Sequence, residues 1–213
     1  MKLYSYPKST TSYRVRAVLN LKGIEHEIVH VDLLEGDQLK DEFRLLNPSK
    51  GVPAIVLDDG TVMTQSLAII EYLDTIHPLV PMLPSDPLMR SRMASLALIV
   101  ATDIHPVNNL RVMGQLKSRF DASAEQCQAW MQHWMIEGFT AIEKQLPMDS
   151  DFAISDTPML ADICIAAQVY NAHRWGVDLT PFTKITRVER ACLAVPEIAA
   201  AHPDYNSNAK DFT

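Results

Sequence analysis

Three cysteines in 213 residues, widely spaced and odd in number, do not make a disulfide framework. Cys127, Cys164 and Cys192 all fall in helix-like stretches. They read as small buried hydrophobes in a reducing compartment, which places the chain in the cytoplasm. Glycine is also scarce, at seven residues, too few for an ordinary all-β protein. No apolar run approaches the roughly 18 residues of a membrane span, and Met1 leads straight into the strand-like Lys2-Leu3-Tyr4. Neither a transmembrane segment nor a signal peptide is expected. A basic surplus is missing too: 19 Lys and Arg against 26 Asp and Glu give a net charge of -7, which argues against a nucleic-acid partner. There is no G-x-G-x-x-G, Walker loop, H-E-x-x-H or C-x-x-C. His26 and His30 would make a metal pair on a helix, but they lie on an alternating, strand-like stretch, and no metal is expected. Ser, His and Asp are present without the glycine pattern of a nucleophile elbow, so a hydrolase triad is not supported.

With 47% hydrophobic and 21% charged residues, the chain has ordinary globular composition. Its character changes near Pro78. Before that point strand-like and helix-like pieces alternate: a strand over 2–6, a helix over 12–22 closed by Gly23, a strand over 26–31, and a short helix over 38–46. Two further strands, 54–57 and 61–63, flank Asp58-Asp59-Gly60, a strong hairpin signal, and a helix over 65–76 ends at His77-Pro78. The order β-α-β-α-β-β-α joins a right-handed parallel crossover to an antiparallel hairpin. Four prolines between 78 and 87 mark an extended tether. Beyond it only helices are expected, over 88–113, 124–146, 160–174 and 184–193. The fold class is therefore an α/β N-terminal domain followed by an all-α domain. The expected boundaries are 1–78, a linker over 79–87, and a helical domain over 88–213.

Three segments of the first domain carry chemistry together. Ser9-Thr10-Thr11-Ser12 is a run of hydroxyls between the first strand and the first helix. A cap by Thr11 or Ser12 explains one hydroxyl. A helix amino terminus plus several hydroxyl donors also suits an anion such as a thiolate. Gly51-Val52-Pro53-Ala54 precedes the third strand. A cis Val52-Pro53 bond there turns the Val52 backbone outward to pair with an extended peptide, so a cis bond is expected. Thr64-Gln65-Ser66 opens the third helix, where free amides and a serine hydroxyl suit a carboxylate.

The run Ser9-Thr10-Thr11-Ser12-Tyr13-Arg14-Val15-Arg16 resembles the Ser-Ser-Cys-Ser-x-Arg-Val-Arg signature of zeta-class glutathione transferases. The stretches from Leu46-Asn47-Pro48 to Val52-Pro53 and from Gln65 to Leu73 are similar to the same family. So are Asp103-Ile104-His105-Pro106-Val107-Asn108-Asn109 and Val177-Asp178-Leu179-Thr180-Pro181. The resemblance implies a thioredoxin-like first domain, glutathione as cofactor, and usually a homodimer. It also implies cis–trans isomerisation of maleylacetoacetate in tyrosine and phenylalanine catabolism, or of maleylpyruvate in gentisate-type degradation. By resemblance, Ser9 and Thr11 face the glutathione sulfur, and Val52 and Pro53 present the backbone that pairs with its cysteinyl unit. Gln65 and Ser66 hold the γ-glutamyl end, Gln38 the glycyl side, and His105 and Asn109 help complete the site. Thr11 stands where the signature has cysteine, so a thiol at that position is dispensable and Ser9 is the stronger candidate. Arg111 is a cation where animal relatives carry a small polar residue and certain bacterial maleylpyruvate isomerases carry arginine. Met159 replaces the usual threonine of a Thr-x-Ala-Asp helix start.

The reaction needs little from the protein beyond thiolate and cations. Adding a thiolate to a cis alkene makes the double bond single; rotation and expulsion return the trans alkene. A free thiol with a pKa of roughly 8.5 is only a few per cent ionised at neutral pH, so the site must favour the anion. The substrate's two carboxylates call for cations, and Lys8, Arg111 and Arg174 are the candidates. A general transferase or peroxidase for hydrophobic electrophiles, or a non-catalytic binding module, are the competing readings. A pocket without working cations favours the first, and loss of the sulfur-facing hydroxyls the second.

Overall fold

A computed structural model describes residues 1–205. The chain divides into two compact units: Met1–Met82 together with the chain from Leu193 onward, and Leu83–Cys192.

In the first unit, β1 (Lys2–Ser5) leads into α1 (Thr10–Leu21), β2 (Glu27–His30), α2 (Asp41–Leu46), β3 (Ala54–Val56), β4 (Val62–Thr64) and α3 (Ser66–Ile76). The sheet order is β2-β1-β3-β4, with β1 parallel to β2 and antiparallel to β3, and β3 antiparallel to β4. This is the thioredoxin-like arrangement the element order implies. The hairpin between β3 and β4 closes at Gly60, whose φ of 86° is the left-handed conformation glycine adopts without cost. Leu3, Ala54 and Ile55 from the sheet and Val15, Leu19, Ile69, Ile70 and Leu73 from the helices are fully buried. The predicted helix over 38–46 is in fact a 3-10 turn, Asp37–Leu39, followed by α2. Asp37 and Asp32 tie that turn into its own loop, and the chain re-enters the helix only after the extended Lys40.

The second unit contains α4 (Pro87–Leu98), α5 (Leu110–Phe120), α6 (Ala124–Gln145), α7 (Leu160–Arg174) and α8 (Thr183–Leu193). No strand occurs in it. The continuous helix expected over 88–113 is broken. After α4 the chain widens into a π-helical stretch, Ile99–Ile104, tightens into a 3-10 turn at Pro106–Asn108, and restarts at α5. Proline at 106 lacks the amide that an α-helix needs there, and Asn109 caps the restarted helix through its side chain. The π-helical stretch lies hard against α6: a methyl group at Gly138 would sit 2.3 Å from side-chain atoms of Ile104. Glu143 of α6 caps α8, accepting the backbone N–H groups of Lys184 at 2.9 Å and Ile185 at 3.0 Å.

A further short helix, α9 (Pro196–Ala201), was not foreseen in the sequence, and it belongs to the first unit rather than the helical domain assigned to 88–213. Ile198 and Ala201 bury its inner face against α1. Residues 206–213 of that assigned domain lie outside the described residues.

α7 starts as the sequence suggests, with Asp162 accepting the Met159 backbone N–H at 2.9 Å, while the Ala161 N–H points at the Met93 sulfur 3.4 Å away. Sulfur is a weak acceptor, so a stronger one should help. Met159→Thr is expected to stabilise the protein by up to about 1 kcal/mol, the usual worth of an N-cap, read as a raised melting temperature. An unchanged temperature would mean that the Met93 contact already satisfies this turn.

Candidate active site

The first helix sets the chemistry of the first unit. Its cap is Ser9, not Thr11 or Ser12, because the helix begins two residues earlier than the periodicity suggests. Ser9 Oγ accepts the Ser12 N–H at 3.2 Å and lies 2.9 Å from Thr11 Oγ1. Thr11 in turn donates to the Val52 carbonyl at 2.8 Å. Thr11 has only one hydroxyl hydrogen, and Val52 takes it, so the hydrogen between Ser9 and Thr11 is Ser9's. The relay therefore runs from Ser9 to Thr11 to Val52. Ser9 and Thr11 are half-buried, at the end of a helix whose free amides and dipole favour negative charge.

Val52 precedes Pro53 through a cis bond, as expected from the sequence. The loop leading to it is braced by Asn47, which is almost fully buried. Its Nδ2 donates to the Gly51 carbonyl at 2.6 Å, and its Oδ1 accepts both the Ser49 N–H and the Ser49 hydroxyl. Gln65 immediately precedes α3 with a φ of 71°, a left-handed conformation rare outside glycine. Such outliers concentrate at ligand sites. Beside it, Ser66 is buried and its Oγ accepts from Arg14 Nη1 at 3.3 Å, which leaves the serine hydrogen to donate elsewhere. Gln38 donates to the Leu33 carbonyl at 3.4 Å from the 3-10 turn. Lys8 is exposed one residue before the cap.

The second unit places the other candidates. His105 follows the π-helical stretch and is half-buried. Asn109 spends its Oδ1 on the Arg111 N–H at 3.1 Å, a cap for α5. Arg111 is exposed in the first turn of that helix. Arg174 is the last residue of α7 and exposed; its guanidinium carbon lies 5.7 Å from the Tyr170 ring centroid and 6.0 Å from that of Trp175. Among the described residues, Lys8, Arg111 and Arg174 take part in no ion pair. Sequence reasoning assigned no role to Arg14, Arg16 or Asn47, all buried in the first unit.

Residues 8–76 match the family model described as the N-terminal domain of glutathione S-transferase. A maleylacetoacetate isomerase of Pseudomonas aeruginosa is 40% identical over 205 residues, covering 95% of this chain and 96% of that protein. A solved bacterial maleylpyruvate isomerase, described as a zeta-class glutathione S-transferase, superposes with a TM-score of 0.93 at 41% identity, over 96% of this chain and 98% of that one. This chain belongs to the zeta-class glutathione transferase family. A maleylacetoacetate isomerase of Methylobacterium extorquens AM1, solved with malonate and glutathione, also superposes at 0.93, with 35% identity over 96% of this chain and 97% of that one. Against the zeta-class signature, the Thr11 substitution keeps a hydroxyl where the family motif has a thiol, and the relay through Val52 shows what that hydroxyl does here.

Proposed function

We propose that the chain is a glutathione-dependent cis–trans isomerase that converts maleylacetoacetate to fumarylacetoacetate in tyrosine and phenylalanine catabolism, as a cytoplasmic homodimer. Among the described residues no helix is long and apolar enough to cross a membrane. The observation that supports the reading most is the hydroxyl relay at the start of α1.

The first unit fits the tripeptide. Val52 offers its backbone ahead of Pro53, and Gln65 with the Ser66 hydroxyl and the first amides of α3 suits a carboxylate. Gln38 reaches the glycyl side from its own turn. Bound glutathione supplies the nucleophile, a thiolate that adds to the alkene and leaves again after rotation. Ser9 is the residue that makes this anion available. Its hydrogen rests on Thr11, an acceptor it can exchange for sulfur by rotating one bond, whereas the Thr11 hydrogen is held by Val52. Thr11 thus orients Ser9 and fixes the Val52 carbonyl, and the α1 amino terminus adds its partial positive charge. His105 and Asn109 are the candidate binding residues of the second unit, with Asn109 acting through the cap that sets Arg111. Lys8, Arg111 and Arg174 take the carboxylates of an anionic substrate, a role suited to cations that no carboxylate among the described residues neutralises.

Ser9→Ala is expected to lower kcat/KM about ten- to thirtyfold at neutral pH, because an unassisted thiol is only a few per cent ionised. The loss should be similar for the maleyl substrate and for conjugation of a neutral electrophile, since both need the thiolate. Thr11→Val should cost less. Full activity in Ser9→Ala would remove the relay from the mechanism. A second reading, maleylpyruvate as substrate, is favoured by Arg111, an additional exposed cation of the kind certain bacterial maleylpyruvate isomerases carry.

A further inference from the structure

We infer that Arg16 is a positioning residue for the Ser9 hydroxyl, and that through it the activation of the thiol depends on the seating of the C-terminal helix α9. The inference rests on Ser9 facing the sulfur. Arg16 is a charged side chain only 8% exposed. Its guanidinium joins two segments far apart in the chain. On one side Nη1 donates to Ser5 Oγ at 2.9 Å and to the Tyr6 carbonyl at 3.3 Å, and Nη2 donates to the Pro7 carbonyl at 3.0 Å. On the other, Nε and Nη2 both donate to the Ala201 carbonyl, at 3.2 and 3.1 Å.

The Tyr6 carbonyl is where the two roles meet. It also accepts the backbone N–H of Ser9 at 3.1 Å. Arg16 therefore holds the carbonyl that holds the catalytic serine's own amide. Without it, the Tyr6 and Pro7 carbonyls lose the guanidinium donors that brace the turn over Tyr6, Pro7 and Lys8, and the turn can shift. The Ser9 oxygen then leaves the narrow position in which it meets Ser12 N–H and Thr11 Oγ1. Displacements well under an ångström matter for a hydrogen bond that must meet an anion. Ala201 is the last residue of α9, and a carbonyl at a helix end lacks an intrahelical donor, so the cation is well placed there. A planar fork of five donors can serve both sides at once; a lysine ammonium cannot.

The test reads the ionisation of glutathione in its binary complex, by ultraviolet absorbance of the thiolate against pH, with affinity measured by calorimetry. Ser9→Ala should raise the apparent thiol pKa. Arg16→Met should raise it by about half to one unit, so three- to tenfold less thiolate forms below the pKa. Ser9→Ala combined with Arg16→Met should match Ser9→Ala alone, because both act on one hydroxyl. Ile198→Ala, which loosens the buried face of α9, should shift the pKa the same way without touching Arg16. Arg16→Lys should give a smaller shift, and it carries the test if Arg16→Met does not fold. The inference is overturned if the folded Arg16 variants titrate like the native protein while Ser9→Ala is shifted, or if the double variant shifts by the sum. If Ser9→Ala does not shift, the reading of Ser9 fails first and the inference falls with it.

Discussion

Arg174→Met is expected to lower kcat/KM for a maleyl substrate roughly ten- to more than a hundredfold while glutathione affinity, measured by calorimetry, stays within error. A charge-assisted contact to a carboxylate is worth about 1.5–3 kcal/mol, which converts to that range. Arg174 is suited to the task in three ways. It is exposed, it takes part in no ion pair among the described residues, and the Tyr170 and Trp175 rings stand beside its guanidinium at 5.7 and 6.0 Å. Aromatic faces restrict a long flexible side chain and favour its charge without consuming its hydrogen-bond donors. Methionine keeps most of the apolar stem, so packing against the rings is largely retained. In the proposed reading glutathione is held by the first unit, at Val52, Gln65 and Ser66, so its affinity should not sense the change. Conjugation of a neutral electrophile should survive as well. Equal losses for neutral and dianionic substrates would make Arg174 structural and favour a general transferase.

Asp162→Ala should destabilise the fold by on the order of 3–5 kcal/mol. Asp162 is fully buried, and its two oxygens accept the backbone N–H groups of Ala153 at 2.6 Å and Met159 at 2.9 Å. Alanine leaves both donors buried and unpaired, at the junction where the chain enters α7. The same burial pushes the carboxyl pKa up to about 6, against the opposing pull of the Met159 and Ala153 N–H bonds. A folded-state pKa above the unfolded value means that this group's stabilising contribution is complete below about pH 4. It is lost as the pH rises through 6, a change of about 3 kcal/mol. Denaturation at a series of pH values should therefore show the native protein losing stability relative to Asp162→Asn between about pH 4 and 6, and holding level above. Parallel profiles would mean that the carboxyl titrates normally.

The elements that were legible in the sequence are those with a local cause. The hairpin follows from Asp58-Asp59-Gly60, the first strand and helix from alternation giving way to a helical period, and α7 from its long apolar run. The segments of the proposed site stand out in the sequence for the same reason: Ser9 to Arg16, Gly51 to Ala54, and Gln65-Ser66 each announce themselves by residue type. What escaped had a remote cause. The apolar pattern continues through Ile99–Ile104, so nothing nearby reveals the widened turn that Ile104 makes against Gly138. The burial of Arg14 and Arg16 was not legible either, because Arg14 meets Ser66 52 residues away and Arg16, beside its nearby acceptors, meets Ala201 185 residues away. Six residues of α9 are too few to show a period, and Pro196 alone does not say on which unit the helix will rest.

The most direct measurement is to follow a maleyl substrate and glutathione together by nuclear magnetic resonance during turnover. The account predicts that maleylacetoacetate or maleylpyruvate is converted to its trans isomer over many turnovers, with glutathione recovered unchanged and the reaction stopping when glutathione is withheld. Stoichiometric loss of glutathione into a stable adduct, or isomerisation at the same rate without it, would contradict the account.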